Sequence, residues 1–406
     1  MKALATQLVW IAGMLFLTAC GGGPAASGPM LAQTQSRTAA SFAASFAGDE
    51  PAARMNARRV CARSAEANVM ACLAMVRTDV PASSLGEGAG YGPSQLESAY
   101  NFPSSTAGSG QTIAVVDAFD DPDAESDLAT YRAYYALPAC GSSTGCFVKV
   151  NQDGQARPLP RAAGNSGWDL EESLDVQMIS AICPNCKIIL VEANAPTIKD
   201  LGSGVAAAIA LGANVVSNSY SGNGTSGARY YDHPGTIITA SAGDDGYSAA
   251  IPAGFPTVVS VGGTDLRKAR NSRGWNETVW SGTGSGCEAT FRKPKWQTDT
   301  GCKGRTMNDV AADAGTPVAV YDSYSYGGFV GVEGTSVSSP IVAAAYGLAG
   351  NAGSLDAARS LYASGAPLFD VTKGQNGSCR PTYLCHAELG YDGPTGTGTP
   401  DGVGAL

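Results

Sequence analysis

Two segments of the chain carry residue types that could make and break acyl bonds. Gly334-Thr335-Ser336-Val337-Ser338-Ser339-Pro340 leads into an alanine-rich apolar stretch ending at Ala349. A serine there stands at a helix N-terminus. Backbone N–H groups without helical partners and the positive end of the dipole suit an activated hydroxyl or an oxyanion. The same placement also describes a plain helix cap. The second segment is Trp168-Asp169-Leu170-Glu171-Glu172-Ser173-Leu174-Asp175. On a helix, Glu171 and Asp175 share one face. Leu170, Leu174, Val176, Met178 and Ile179 make that helix largely buried. Two buried carboxyl groups this close share a proton and titrate as a pair. Such a pair can accept the proton of a serine hydroxyl. A solvated acidic face is the other reading of the run. There are only two histidines, His233 in Tyr-Asp-His-Pro and His386 in Leu-Cys-His-Ala. Both read as loop residues, so a base for Ser336 must be another group.

These residues need a scaffold, and the pattern around them supplies one. Gln111–Asp117 is a short β-branched run, hence a buried strand. Ala124–Tyr135 and Trp168–Ile182 read as helices, Lys187–Glu192 as a strand and Leu201–Leu211 as a helix. Asn214–Asn218, Thr236–Ala242 and Pro256–Val261 read as strands, and Ser338–Ala349 as an apolar helix. This alternation predicts an α/β fold, a doubly wound, mostly parallel sheet with helices on both faces.

Composition narrows the class. The 406 residues are 44% hydrophobic, which excludes wholesale disorder. Only 15% are charged and 52 are glycine, which suits an exported protein with many tight loops. The net charge of -9 and the lack of a basic run exclude a cationic nucleic-acid face. Lys2 precedes an apolar run, Leu8–Ala19, too short to span a bilayer easily. It reads as a signal-peptide core. Leu17-Thr18-Ala19-Cys20-Gly21 resembles a bacterial lipobox, with the lipid on the Cys20 thiol; an ordinary secretory signal is the alternative. Without Cys20, ten of the 11 cysteines fall into close pairs: Cys61/Cys72, Cys140/Cys146, Cys183/Cys186, Cys287/Cys302 and Cys379/Cys385. Export favours local disulfides. Cys183-Pro-Asn-Cys186 could also be a redox motif; a loop staple is favoured. The expected organisation is a lipoprotein-type signal over 1–20, a tether or short propeptide-like segment over 21–90, and a catalytic domain over 91–406.

The combination resembles one family. Gly-Thr-Ser-x-x-x-Pro before an alanine-rich helix is similar to the nucleophile motif shared by subtilisins and sedolisins. Subtilisins also need a histidine in a His-Gly-Thr-His type segment, which this chain lacks. Glu171-Glu172-Ser173-Leu174-Asp175 resembles the Glu-x-x-Leu-Asp motif of the sedolisins, the serine-carboxyl peptidases. The resemblance implies Glu171 as general base, Asp175 as the acid that orients it, and Ser336 as nucleophile. Glu172 is the register rival, three residues before Asp175; the family spacing of four favours Glu171. In Ala240-Ser241-Ala242-Gly243-Asp244-Asp245-Gly246, Asp244 takes the oxyanion-hole slot. It can help an oxyanion only as a protonated donor, which implies acid pH. A turn role is the plainer reading, and Asp245 fits that better. Asp117 sits where subtilisins keep their triad acid and is left outside the catalytic set.

The resemblance covers about Tyr91 to Leu406 and extends to one calcium ion. Asp370 and Asp392 would give carboxylates, and Val371, Glu388 and Gly390 backbone carbonyls, an oxygen-only set suited to Ca²⁺. Ser217–Gly222 would line the substrate groove by pairing with an extended peptide. Tyr220 stands where sedolisins often have Trp, and 21–90 is shorter than the usual folded propeptide. The implied protein is a monomeric, acid-acting serine endopeptidase cleaving extended or unfolded polypeptides. It would be a bacterial cell-envelope lipoprotein, membrane-bound through Cys20, or secreted if the N-terminal segment is cut. The alternative is a catalytically idle, peptide-binding surface lipoprotein on the same fold.

Overall fold

The computed structural model describes residues 56–83, 86 and 88–406; the signal, Cys20 and most of the tether lie outside that range. The strands are β1 (Ala57–Arg59), β2 (Ala71–Cys72), β3 (Met75–Arg77), β4 (Thr112–Ala118), β5 (Phe147–Asn151), β6 (Lys187–Ala193), β7 (Val215–Asn218), β8 (Tyr220–Ser221) and β9 (Ile237–Ser241). They continue as β10 (Val259–Lys268), β11 (Trp275–Val279), β12 (Gly286–Arg292), β13 (Gly304–Met307), β14 (Val310–Asp313), β15 (Val318–Asp322), β16 (Gly328–Glu333), β17 (Leu368–Phe369) and β18 (Thr399–Pro400). The α-helices are α1 (Pro93–Tyr100), α2 (Ala124–Tyr134), α3 (Trp168–Ile182), α4 (Ile198–Ala210) and α5 (Thr335–Ala349).

The central sheet runs β11-β10-β9-β7-β4-β6-β5, with β14 added along β10. All its pairs are parallel except β10–β11. Its strands read as apolar runs because both faces are covered. Val115 of β4 pairs with Leu190 of β6 and Ser217 of β7, which fixes the register at the centre. Residues of α1, α2, α3 and α5 share one apolar cluster with one face of the sheet. Those of α4 join a second cluster on the other face. This is the doubly wound, subtilisin-like α/β architecture expected.

Two boundaries shift from the sequence reading in a way that matters. Helix α5 starts at Thr335, three residues early, so Pro340 is its sixth residue rather than its third. A proline there lacks the N–H that would bond the Ser336 carbonyl. Helix α4 starts at Ile198, capped by the Thr197 hydroxyl accepting from the Asp200 N–H at 3.1 Å. The five local cysteine pairs all form disulfides.

Residues 56–83 lie on the body of this fold. Strands β1 and β3 extend an antiparallel sheet in the order β1-β3-β16-β15, and β2 pairs antiparallel with β8.

Candidate active site

The site forms at the carboxyl ends of the central strands, where doubly wound sheets place their crevice. Strand β4 carries Asp117 as its penultimate residue, β7 leads into Ser219, and β9 leads through Gly243 to Asp244. Helices α3 and α5 pack side by side on one face. Hydroxyls tie α5 to the strands: Ser339 Oγ lies 3.2 Å from Ser217 Oγ and 3.0 Å from Thr239 Oγ1, and Ser241 Oγ donates to the Thr335 carbonyl at 2.8 Å. The nucleophile's helix is thereby fixed against β7 and β9.

Ser336 is the second residue of α5 and fully buried. Its hydroxyl donates to the Ser219 carbonyl at 3.3 Å. It also lies near enough to Glu171 to favour that group's charged form. Glu171 belongs to the first turn of α3. Its Oε2 accepts the backbone N–H groups of Leu73 at 3.0 Å and Ala74 at 2.7 Å. Burial drives its pKa well above the carboxylate range, the charge of Asp117 adds to the rise, and Ser336 and the Ala74 N–H temper it.

Asp175, one turn along α3, is likewise raised by burial, then by the charges of Asp117 and Glu171. Neither of its oxygens has a donor in hydrogen-bond geometry; the Ser219 hydroxyl is near enough only to temper the rise. Asp117, held outside the set on sequence grounds, is fully buried with no donor on either oxygen, and burial pushes it up to about 8. Three carboxyl groups therefore crowd one dry space. Mutual repulsion keeps them from ionising together. Burial pushes all three toward the protonated form, and Glu171 alone has donors, two N–H groups on Oε2, that favour its charged form.

Glu172 turns away from Ser336. Its Oε2 accepts the Asp121 N–H at 3.2 Å, alongside Glu192, whose Oε1 meets Lys149 Nζ at 3.1 Å. Of the two glutamates, Glu171 is the one that reaches the serine.

Asp244 is fully buried beside α5. Its Oδ1 accepts the Thr335 N–H at 2.9 Å and the Thr335 hydroxyl at 2.8 Å, and the Gly243 N–H donates to that hydroxyl at 3.2 Å. Oδ2 faces Gly334: a β-carbon there would lie 2.9 Å from it and 2.2 Å from the Leu73 carbonyl oxygen. Gly334 also has φ +121, so a side chain is opposed by both backbone and neighbours. Asp245 is the exposed neighbour, paired with Arg59 at 2.7 Å.

The C-terminal loops bring the expected calcium residues together. Gly390 N–H donates to Asp370 Oδ2 at 3.0 Å, and Glu388 N–H to Asp392 Oδ2 at 3.1 Å. Burial, with a contribution from Asp370, pushes Asp392 up to about 7. Two carboxyl groups in mutual repulsion amid loop carbonyls fit a hard cation. Among the described residues no three His, Cys, Asp or Glu side chains cluster as a metal cage.

Comparison with known proteins places this geometry. The subtilase family (peptidase S8) matches residues 161–358. Kumamolisin of Bacillus sp. (strain MN-32) is 30% identical over 364 residues, spanning 78% of this chain and 63% of kumamolisin. Sedolisin of Pseudomonas sp. (strain 101) is 33% identical over 202 residues, spanning 41% of this chain and 34% of sedolisin. These matches support membership of the sedolisin family. The solved structure of Pseudomonas sedolisin complexed with pseudo-iodotyrostatin superposes with a TM-score of 0.65 at 24% identity, over 77% of this chain and 95% of that one. That likeness carries the subtilisin-like fold. The chain spans less than two thirds of the length of these two sequence relatives.

Sequence reasoning had no signal for the Leu73–Ala74 backbone at Glu171 or for the Ser219 carbonyl. Asp117 was visible as a strand-end acid, and only its lack of donors marks it as part of the cluster.

Proposed function

We propose that the chain is an acid-acting serine-carboxyl endopeptidase that cleaves extended or unfolded polypeptides. The observation that carries this reading is the meeting of Ser336 with the buried Glu171 where neither histidine of the chain is part of the site. Ser336 Oγ attacks the scissile carbonyl and gives its proton to Glu171. Asp175 and Asp117, neutral beside it, hold the single charge of the cluster on Glu171. Glu171 then protonates the leaving amine. Asp244 Oδ2, protonated, donates to the oxyanion together with N–H groups of the first turn of α5. Acid pH is required because an ionised Asp244 would repel that oxyanion.

Sedolisin-type peptidases bind calcium. We assign one ion here to Asp370, Asp392 and the carbonyls of Val371, Glu388 and Gly390, where it would cross-link the loops. The leader sequence supports export as a monomeric cell-envelope lipoprotein bound through Cys20, or secretion if the N-terminal segment is cut.

The test is cleavage of casein by the exported chain between pH 3 and 8, with Ser336→Ala and Glu171→Gln beside it. Acid-only cleavage lost in both variants is expected. A maximum near neutrality overturns the role of Asp244, and activity retained in Glu171→Gln overturns the carboxylate base. A folded, calcium-loaded chain that cleaves nothing, even after its N-terminal segment is removed, would favour the peptide-binding lipoprotein.

A further inference from the structure

A cavity of about 300 Å³ lies among the C-terminal loops, and the peptidase reading does not use it. Disulfides close the two loops that wall it. Asp299 sits in the Cys287–Cys302 loop and Tyr383 in the Cys379–Cys385 loop. Glu388 and Tyr391 follow the second loop, and Tyr362 comes from the chain after α5. Exposed Thr298 and Thr300 complete the lining, so a solute can enter. Of these residues only Glu388 also belongs to the proposed calcium set, and there through its backbone carbonyl.

Asp299 has a buried carboxyl with one oxygen left over. Its side chain is 8% exposed, and every donor it has goes to Oδ2. The Tyr383 hydroxyl donates there at 2.6 Å and the Thr306 hydroxyl at 2.8 Å, and Lys293 Nζ lies at 2.6 Å. Oδ1 is buried without a partner. A buried acceptor left so is costly until a donor reaches it. The Tyr391 hydroxyl is also buried without a partner.

The rest of the wall suits a cation. The Tyr391 ring centroid lies 5.8 Å from that of Tyr362 and 6.4 Å from that of Tyr383. Two of these rings are fixed by their hydroxyls, Tyr383 on Asp299 and Tyr362 on Asp309 Oδ1 at 2.7 Å. Ring faces attract positive charge. Lys293 is paired with Asp299, and Arg305 is taken up by Asp309. Among the described residues no cation pairs with Glu388, whose Oε1 accepts the Thr382 hydroxyl at 3.0 Å. The cavity thus keeps a net negative charge. It is not built for a metal ion, since no three carboxyl, thiol or imidazole groups gather among the described residues. An ion that carries both N–H donors and a hydrocarbon stem satisfies the carboxylates and the rings together.

We propose that this cavity binds a primary alkylammonium ion, with an N–H on Asp299 Oδ1, its charge shared with Glu388, and its carbon stem against Tyr362, Tyr383 and Tyr391. A lysine side chain of a polypeptide and a small free amine both offer this chemistry. The site is separate from Ser336 and stands or falls without the peptidase reading.

The test is isothermal titration at pH 6, in fixed calcium, of the full chain carrying Ser336→Ala so that no peptide is cut. The probes are n-butylammonium, tetramethylammonium, n-butanol and acetyl-Ala-Lys-Ala-amide. Expected is saturable one-to-one binding of n-butylammonium, at least about tenfold tighter than n-butanol and tighter than tetramethylammonium, which has no N–H for Oδ1. Asp299→Asn should weaken it at least about tenfold. That residue also holds Lys293, Thr306 and Tyr383, so two further variants are measured, with circular dichroism to show that each is folded. Glu388→Gln, at an exposed carboxylate, should weaken binding about threefold. Tyr391→Leu, whose hydroxyl holds nothing, should weaken it about three- to tenfold. A tenfold preference for the peptide over n-butylammonium supports the site with a polypeptide as the source; equal or weaker peptide binding supports it with a small amine. No saturable binding of n-butylammonium overturns the proposal. So does n-butanol or tetramethylammonium binding as tightly, or an affinity unchanged in the folded variants.

Discussion

Replacing Asp117 with asparagine should flatten the pH dependence of stability. Asp117 is the penultimate residue of β4, is fully buried, and has no donor on either oxygen. Burial raises it from 3.8 to about 8. A carboxyl group raised on folding contributes stability that is complete below its unfolded pKa and is lost as pH rises toward its folded one. Between pH 4 and 7 the folded chain thus holds about one more proton at this position than the unfolded chain. At 1.36 kcal/mol per unit, that difference removes about 4 kcal/mol of stability across the interval. Asparagine has nothing to titrate, so this loss disappears. Urea unfolding with disulfides intact, in a Ser336→Ala background that cannot digest itself, reads the effect at pH 4 and pH 7. The stability lost between the two should be smaller by about 4 kcal/mol in the Asp117→Asn chain. Curves that stay parallel to within about 0.5 kcal/mol, the tolerance for independent sites, would refute the placement of a titrating Asp117 in the cluster.

Glu171→Gln should lower kcat by at least about 100-fold, as loss of a general base does, while Glu172→Gln, whose carboxyl faces Asp121 and Glu192, should keep kcat within about threefold. Steady-state assays on one peptide separate the two registers. Gly334→Ala should destabilise the fold by about 1–3 kcal/mol and abolish turnover, because φ there is +121 and the new methyl meets the Leu73 carbonyl and Asp244; a melt and an activity assay check it. Chelator should lower the melting temperature, and Asp392→Asn should reproduce that shift and make the chain insensitive to chelator. Arg305→Met should cost about 3–5 kcal/mol, since it leaves the fully buried Asp309 without its ion pair; the urea midpoint reads this.

The elements that could be read from the sequence are those whose own composition decides them. Helix α3 was legible to the residue, Trp168–Ile182, since apolar residues fill the positions between its acids. The strand at Lys187 was legible because parallel strands buried on both faces read as continuous apolar runs. The start of α5 was not, because Thr335 and Ser336 look like loop residues until Asp244 accepts the Thr335 N–H, a bond spanning 91 positions. The site followed the same rule. Ser336, Glu171 and Asp244 announced themselves by local motif. That Glu172 points elsewhere depends on Asp121 and Glu192, which only the sheet brings near.

Residues 56–77 show why such long-range information stays hidden. Cys61 and Cys72, close in sequence, were legible as a local disulfide. The attachments of the stretch are two-residue ladders to strands about 150 and 250 positions away, too short to impose a periodicity. Those ladders also divide its allegiance. Ala71 and Cys72 belong to the groove through Tyr220 and Ser221, whereas Met75 and Val76 belong to the body through Val332 and Glu333. Leu73 and Ala74 are the two residues between them, and both N–H groups go to Glu171.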